Sequence, residues 1–285
     1  MLPFREILFP VDYSDASKTM VPWVTKMANH FNANLTLLHA YSPDFLAYTE
    51  LAPQFVELNA HSRGFEENRL QEFAHTSFPG RPVNTIAMLG DPAAAIESMV
   101  EHQGTDLIML PTHGRGPARR LLLGSVTTKV LHHVSAAVWT ATNACLNATP
   151  PKRYKSILSI VDDSEESEVI LRAAAALAAD FQAQLRVATV VLMPTPSRGL
   201  DFEHYYQLLR SAAHERLREL KDRLNFDVPY SVLEGPISRA VHDEAVRHNV
   251  DLIVSGRGSS QDAFAALFSR LYDVIREAPC PVLSI

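Results

Sequence analysis

Apolar residues in this chain fall into short unbroken runs, and between the runs they recur every three or four positions. Ile7-Leu8-Phe9-Pro10-Val11 is the first run, and Met20, Val24, Met27 and Phe31 then follow at helical spacing behind Ser14, a residue suited to capping a helix start. Unbroken Ile, Val and Leu, without a polar alternate, predict strands buried on both faces, and such strands alternating with amphipathic helices predict a parallel sheet covered on both sides. In the first half the pattern predicts strands at 6–11, 34–40, 83–89, 106–110 and 137–141, with helices at 61–78, 92–102 and 125–134 after the one that opens at Ser14. Residues 41–60 carry no clear period. In the second half it predicts strands at 156–161, 184–192, 228–233, 251–254 and 281–285, and helices at 165–181, 202–224, 237–248 and 262–277.

The two halves repeat each other. Ile7-Leu8-Phe9-Pro10-Val11-Asp12-Tyr13-Ser14 returns as Ile157-Leu158-Ser159-Ile160-Val161-Asp162-Asp163-Ser164, Asp106-Leu107-Ile108-Met109 returns as Asp251-Leu252-Ile253-Val254, and Gly90 returns as Gly235. Offsets that stay near 145–150 residues predict two equivalent domains, 1–145 and 152–285. The join falls in 143–153, where Thr149-Pro150-Pro151-Lys152 reads as a linker.

Composition narrows the function classes. The chain has 285 residues, 47% apolar and 20% charged, which suits two globular cores, and its net charge of −6 argues against nucleic acid or an anionic membrane as partner. No apolar stretch approaches the ~20 residues of a membrane span, and no basic stretch leads into an apolar one at the start. The expected location is therefore the cytoplasm. Cys145 and Cys280 lack metal-ligand spacing. The 12 histidines show no metalloprotease or zinc-finger spacing with matching carboxylates, so they read as solvated helix positions, His132 and His133 pointing different ways. No G-x-S-x-G elbow is present.

One segment carries candidate chemistry. Leu110-Pro111-Thr112-His113-Gly114-Arg115-Gly116 leaves a strand, and after Arg119 and Arg120 the chain enters a helix at Gly124-Ser125-Val126. Backbone amides and the positive end of the helix dipole favour phosphate at such a place, glycine permits close approach, and Ser125 offers a hydroxyl or an N-cap. Ordinary turn chemistry accounts for the same residues, so the segment alone leaves both readings open.

With these residues the chain resembles tandem universal stress proteins, whose ATP-binding members carry G-x-x-G-x9-G-(S/T). Here Pro111-Thr112-His113-Gly114, nine residues and Gly124-Ser125 match all but the first glycine, and the likeness runs through both copies. It implies two tandem five-stranded parallel α/β domains, Rossmann-like and of the nucleotide α-hydrolase type. It further implies adenosine against Val11, Asp12 and Ala40, with ribose and phosphates held by His113, Gly114, Arg115, Gly124, Ser125 and Val126. ATP or a related adenine nucleotide, with or without Mg2+, is the implied ligand of copy one. Pro111 removes one backbone donor from that loop. In copy two, the alignment without gaps reads Ser255-Gly256-Arg257-Gly258 and then Phe268-Ser269, while a shift by one residue reads Gly256-x-x-Ser259 and then Ser269-Arg270. Neither restores the motif, which points to a structural or regulatory second copy.

Three functions remain open at this level. The first is a stress-response protein whose stability or partner binding follows nucleotide occupancy. The second is a nucleotide-free scaffold, and the third a slow adenine-nucleotide hydrolase. No Walker lysine, general base or acidic pair for Mg2+ is evident, so the chain is expected not to be an enzyme beyond slow ATP hydrolysis. Domains of this kind commonly pair through their last strands, so the resemblance also implies that 137–141 and 281–285 meet within one chain, or that two chains form a dimer.

Overall fold

The computed structural model describes residues 3–42, 52–114, 123–162, 164, 166–191, 202–257 and 264–285, with side chains left aside at 52–61, 202 and 264–270. The chain divides into two compact units, Pro3–Trp139 with Leu146–Pro150, and Thr140–Cys145 with Pro151–Ile285.

The first copy runs β1 (Glu6–Pro10), α1 (Asp15–His30), β2 (Asn34–Tyr41), α2 (Ala52–Ser77), β3 (Asn84–Leu89), α3 (Pro92–Gln103), β4 (Leu107–Pro111), α4 (Ser125–His133) and β5 (Ala137–Ala141), and is called the first unit below. Its strands lie in the order β3-β2-β1-β4-β5, with Ile7 opposite both Leu35 and Leu107 in parallel pairing. One helical turn, α5 (Asn143–Leu146), stands inside the segment read as a linker. The second unit runs β6 (Ser156–Ile160), α6 (Glu166–Phe181), β7 (Gln184–Val191), α7 (Phe202–Leu224), β8 (Tyr230–Glu234), α8 (Ile237–Arg247), β9 (Leu252–Ser255), α9 (Phe264–Glu277) and β10 (Val282–Ser284). Its order is β8-β7-β6-β9-β10, with Ile157 opposite Leu185 and Leu252.

Both are doubly wound parallel α/β units, as the unbroken apolar runs predict. The chain steps outward from the first strand to the third, then returns to the far side of the first for the fourth. Right-handed crossovers therefore place the first two helices of each unit on one face of its sheet and the next two on the other. The carboxyl ends of β1 and β4 border the point where the winding reverses, the place where open α/β sheets leave a crevice.

The repeat extends to local detail. The Asp106 carboxylate accepts the amides of Arg5 (2.7 Å) and Glu6 (3.2 Å), and Asp251 accepts those of Lys155 (2.8 Å) and Ser156 (3.1 Å), so each unit fastens its first strand to the turn before its fourth. Phe4 meets Phe31 edge-on at 5.2 Å, and Tyr154 meets Phe181 likewise at 4.9 Å. Left-handed corners recur at Asn32 and Gln182, Gly80 and Asn225, Gly90 and Gly235, and Gly104 and Asn249. At Gly90 and Gly235, with φ of 131° and 98°, a side chain would be strained, which explains why this glycine stands in both copies.

One element departs from the periodicity. The second helix begins at Ala52, nine residues before its predicted start at 61; apolar residues along the helix as a whole gather only weakly on one face, so periodicity marks its start poorly. Pro53 lies in its first turn, where a missing amide costs no helical hydrogen bond.

Candidate functional site

The loop after β1 is built around Asp12. Its Oδ1 accepts the Ser14 amide at 2.9 Å and the Ser17 hydroxyl at 2.6 Å, while Ser14 Oγ caps α1 by accepting the Ser17 amide at 3.2 Å. Tyr13 between them adopts φ 60°, a left-handed turn residue that lets the chain reverse directly into α1. Across the crevice Gly114 comes so close to Asp12 that a β-carbon there would collide with Oδ2. The glycine is therefore required by space rather than by backbone torsion.

The start of α4 faces the same crevice. Gly124 is its N-cap, with extended φ −60° and ψ 144°, and Ser125 is its first helical residue, which corrects the reading of Ser125 as the cap. The Gly124 amide bonds back to the Thr112 carbonyl at 2.8 Å, and Thr127 Oγ1 donates to the Pro111 carbonyl at 3.1 Å. These two bonds hold the helix start against the end of β4. No side chain caps it, so the first-turn amides and the positive dipole end are presented to the cavity. Pro111, which brings no amide, thus contributes through its carbonyl.

The cavity enclosed by these elements has a volume of about 620 Å3, well within the range of small-molecule sites. Val11, Asp12, Ala40, His113, Gly114, Gly124, Ser125 and Val126 all line it. Arg115 lies outside the described residues, as do Arg119 and Arg120. The sequence reading missed Ser17, Pro92, Ile96, Leu123 and Thr127, which line it too. Ser17 was recoverable from the repeat, since Ser164 and Ser167 hold Asp162 Oδ1 at 2.9 and 3.0 Å as Ser14 and Ser17 hold Asp12. His113 turns Nδ1 to Thr112 Oγ1 at 3.0 Å, and its buried Nε2 has no hydrogen-bond partner among the described residues. A ligand atom could supply one.

Not every histidine is a solvated helix position. His39, on β2, is buried, donates from Nδ1 to the Val11 carbonyl at 2.6 Å and faces Glu66 Oε2 with Nε2 at 3.5 Å. It braces the strand end that carries Val11 and Asp12 from behind.

The α3 wall of the cavity depends on Asp91, which caps α3 through the amides of Ala93 (3.0 Å) and Ala94 (3.1 Å) and meets Lys129 of α4 at 3.1 Å. The Lys129 ammonium, then the Ala94 amide, hold this carboxyl below its ordinary 3.8. Stability from a depressed carboxyl is complete above the unfolded value and is lost as pH falls through the folded one. The group is half-exposed, so the expected cost of Asp91→Ala is that of a cap, ~1 kcal/mol at pH 7, shrinking as pH falls through the folded pKa and the ionic part is lost. Chemical denaturation of both proteins at the two pH values checks it; an equal difference at both would refute the ionic part.

The equivalent place in the second unit is nearly filled. Because Ile7 pairs with Leu107 and Ile157 with Leu252, Gly256 stands where Pro111 does and Arg257 where Thr112 does. By the helix end, the buried residues Val274, Ile275 and Ala278 match Val130, Leu131 and Val134, which brings Phe268 opposite Gly124. The strand thus follows the register shifted by one, the helix the ungapped one, and the intervening loop is a residue shorter. A β-carbon on Gly256 would collide with Ile170, and a cavity of only about 80 Å3 remains, bordered by Ile170, Glu166 and Arg257. Burial pushes the Arg257 guanidinium down to about 10, with Glu166 opposing.

Residues 3–141 and 153–285 each match the model of the universal stress protein family. The chain belongs to that family. Each copy therefore corresponds to one universal stress domain. A universal stress protein of Thermus aquaticus is 32% identical over 131 residues, covering 45% of this chain and 91% of the relative, and one from Methanocaldococcus jannaschii is 24% identical over 143 residues, covering 45% and 88%. Among solved structures, a universal stress protein from Archaeoglobus fulgidus matches 98% of this chain and 95% of its own with a TM-score of 0.67 at 18% identity. A functionally unknown protein from Pseudomonas aeruginosa matches 99% and 92% with a TM-score of 0.66 at 16% identity. At that identity the structural likeness speaks for the fold. No helix among the described residues is long and apolar enough to cross a membrane.

Proposed function

We propose that the first unit binds ATP or a related adenine nucleotide, and that occupancy rather than turnover is what the protein communicates, through changed stability or partner binding in the stress response. The observation that carries this reading is the cavity of about 620 Å3 in which an uncapped helix start, two closely approaching glycines and Asp12 converge. Phosphates suit the first-turn amides at Ser125 and Val126, which the Gly124 amide, bonded to the Thr112 carbonyl, helps to hold in place. Adenosine suits the apolar side formed by Val11 and Ala40, where the Asp12 carboxylate can accept from a ribose hydroxyl or the base amino group. His113 Nε2 offers a further polar contact. Among the described residues no cluster of three His, Cys, Asp or Glu side chains could hold a metal ion, so any Mg2+ would arrive on the triphosphate.

The second reading, a nucleotide-free scaffold, is favoured by Pro111, which lacks the amide that a glycine would offer there. Mass spectrometry of small molecules released from the purified, denatured protein separates the two. An adenine nucleotide at near one per chain is expected, and its absence together with no calorimetric response to added ATP would leave the scaffold. Stoichiometry also tests the second unit. Phe268→Gly puts a glycine at the position aligned with Gly124, within α9, but leaves Arg257 and Ile170 across the cavity, so calorimetry should still give one ATP per chain; two sites would contradict the filled-cavity account.

A further inference from the structure

Beyond the end of β4, the hydrogen bond between Thr112 and His113 fixes more than the position of the two side chains. Thr112 is fully buried, and its Oγ1 lies 3.0 Å from His113 Nδ1. Two arrangements of protons fit that distance. In one, the threonine hydroxyl donates to an unprotonated Nδ1 and the ring proton sits on Nε2. In the other, Nδ1–H donates to Oγ1, and both the hydroxyl hydrogen and a bare Nε2 need a partner.

The surroundings decide between them. No other group meets Thr112 Oγ1 among the described residues, and His113 Nε2 is buried without a partner. The second arrangement therefore strands two buried polar groups, a hydroxyl donor and a nitrogen acceptor, where the first strands one. The first prevails, and the group that it leaves is a donor, Nε2–H. His113 lines the cavity together with Gly124, Ser125 and Val126. Its Cα would lie 3.8 Å from a β-carbon on Gly124, and the Gly124 amide bonds to the carbonyl of Thr112 itself. The donor thus shares one corner with the first-turn amides of α4, and that corner offers hydrogens to an acceptor.

We propose that Thr112 is a positioning residue that holds His113 as its Nε2–H tautomer, and that this N–H donates to a phosphate oxygen of the bound nucleotide. The partner rests on the nucleotide reading of the cavity; the tautomer does not. A donor fixed before binding spares the ligand the cost of selecting a tautomer. A ligand that presented a donor of its own at this point would meet hydrogen against hydrogen.

The full chain labelled with 15N-histidine tests both parts. Spectra are recorded at about pH 8.5, above the ordinary histidine range, and the His113 signals are those missing from His113→Phe. In the free protein Nε2 should be of the protonated type and Nδ1 of the unprotonated type. Thr112→Val should move the Nδ1 signal toward that of a nitrogen without a hydrogen bond, and Thr112→Ser should return it. Saturating ATP should move the Nε2–H proton downfield, and tripolyphosphate alone should do the same at higher concentration. By calorimetry His113→Phe should bind ATP about tenfold or more weakly, the loss of one hydrogen bond to a charged group, while His113→Gln, whose amide can reach the place of Nε2, should lose less. A proton on Nδ1 in the free protein, or an Nδ1 signal unmoved in folded Thr112→Val, would overturn the tautomer and leave nucleotide binding standing. ATP that binds without moving Nε2–H, a response to ATP but none to tripolyphosphate, or unchanged affinity in His113→Phe would overturn the phosphate contact. ATP that fails to bind while the tautomer is found as stated would overturn the nucleotide reading, and the assigned partner with it.

Discussion

Gly124→Phe should reduce ATP affinity by at least about 100-fold, equivalent to ~3 kcal/mol, as measured by calorimetry on the full chain. The reason is space, since the backbone at Gly124 is extended and any residue could adopt it. A β-carbon there would lie 3.2 Å from the Thr112 carbonyl and 3.8 Å from Thr127 Oγ1, so a larger side chain must turn into the cavity, over the amides proposed to receive phosphate. Gly124→Ala adds only the tight β-carbon and should lose much less. An intermediate loss for alanine with near-complete loss for phenylalanine is the expected series; ATP affinity unchanged in a folded Gly124→Phe protein would move the phosphate site elsewhere.

Phe181→Ala should be the most damaging of single changes in the second unit. Phe181 is 1% exposed and sits edge-on to the fully buried Tyr154 at the point where α6 returns toward β7. Removing such a ring leaves a cavity the surrounding sheet and helix cannot close, at a cost of ~3–5 kcal/mol. For a unit of this size that lowers its melting temperature by roughly 10 °C or more. Differential scanning calorimetry with and without ATP makes the prediction specific. The transition of the second unit should fall, while the ATP-dependent rise assigned to the first unit should persist. Loss of the ATP response in this variant would mean that the nucleotide site is not confined to the first unit.

The fold was legible because its signals are redundant. Each buried strand is announced once in either copy, and Asp106 with Asp251, or Gly90 with Gly235, fixes the equivalence of the two. The start of α2 was not legible, since a helix read through its apolar stripe is poorly bounded where the stripe along the whole helix is weak. The residues lining the nucleotide cavity were found where a motif names a backbone role, as at Gly114 and Gly124. Those that merely furnish walls, such as Pro92 and Ile96 of α3 and Leu123 beside the motif, carry no local mark. His39 escaped for a related reason. Its partners, the Val11 carbonyl and Glu66, are brought to it only by strand pairing and by the packing of α2. The two registers weighed for the second copy could not be resolved from sequence because each is right over part of the segment. A deletion of one residue between Gly256 and Phe268 lies between a strand that obeys one and a helix that obeys the other.

The plug formed by Arg257 and Ile170 has a thermodynamic consequence. A domain that holds a ligand only when folded gains RT ln(1 + [L]/Kd), about 2.7 kcal/mol when the ligand stands at a hundred times its dissociation constant. On the proposed function the first unit draws on that term and the second, its corresponding cavity occupied by its own side chains, does not. The stability of one half of the chain then tracks the nucleotide supply, while the other half remains a fixed reference. As nucleotide is depleted the order in which the halves unfold can invert, and with it the segment that a protease or chaperone meets first.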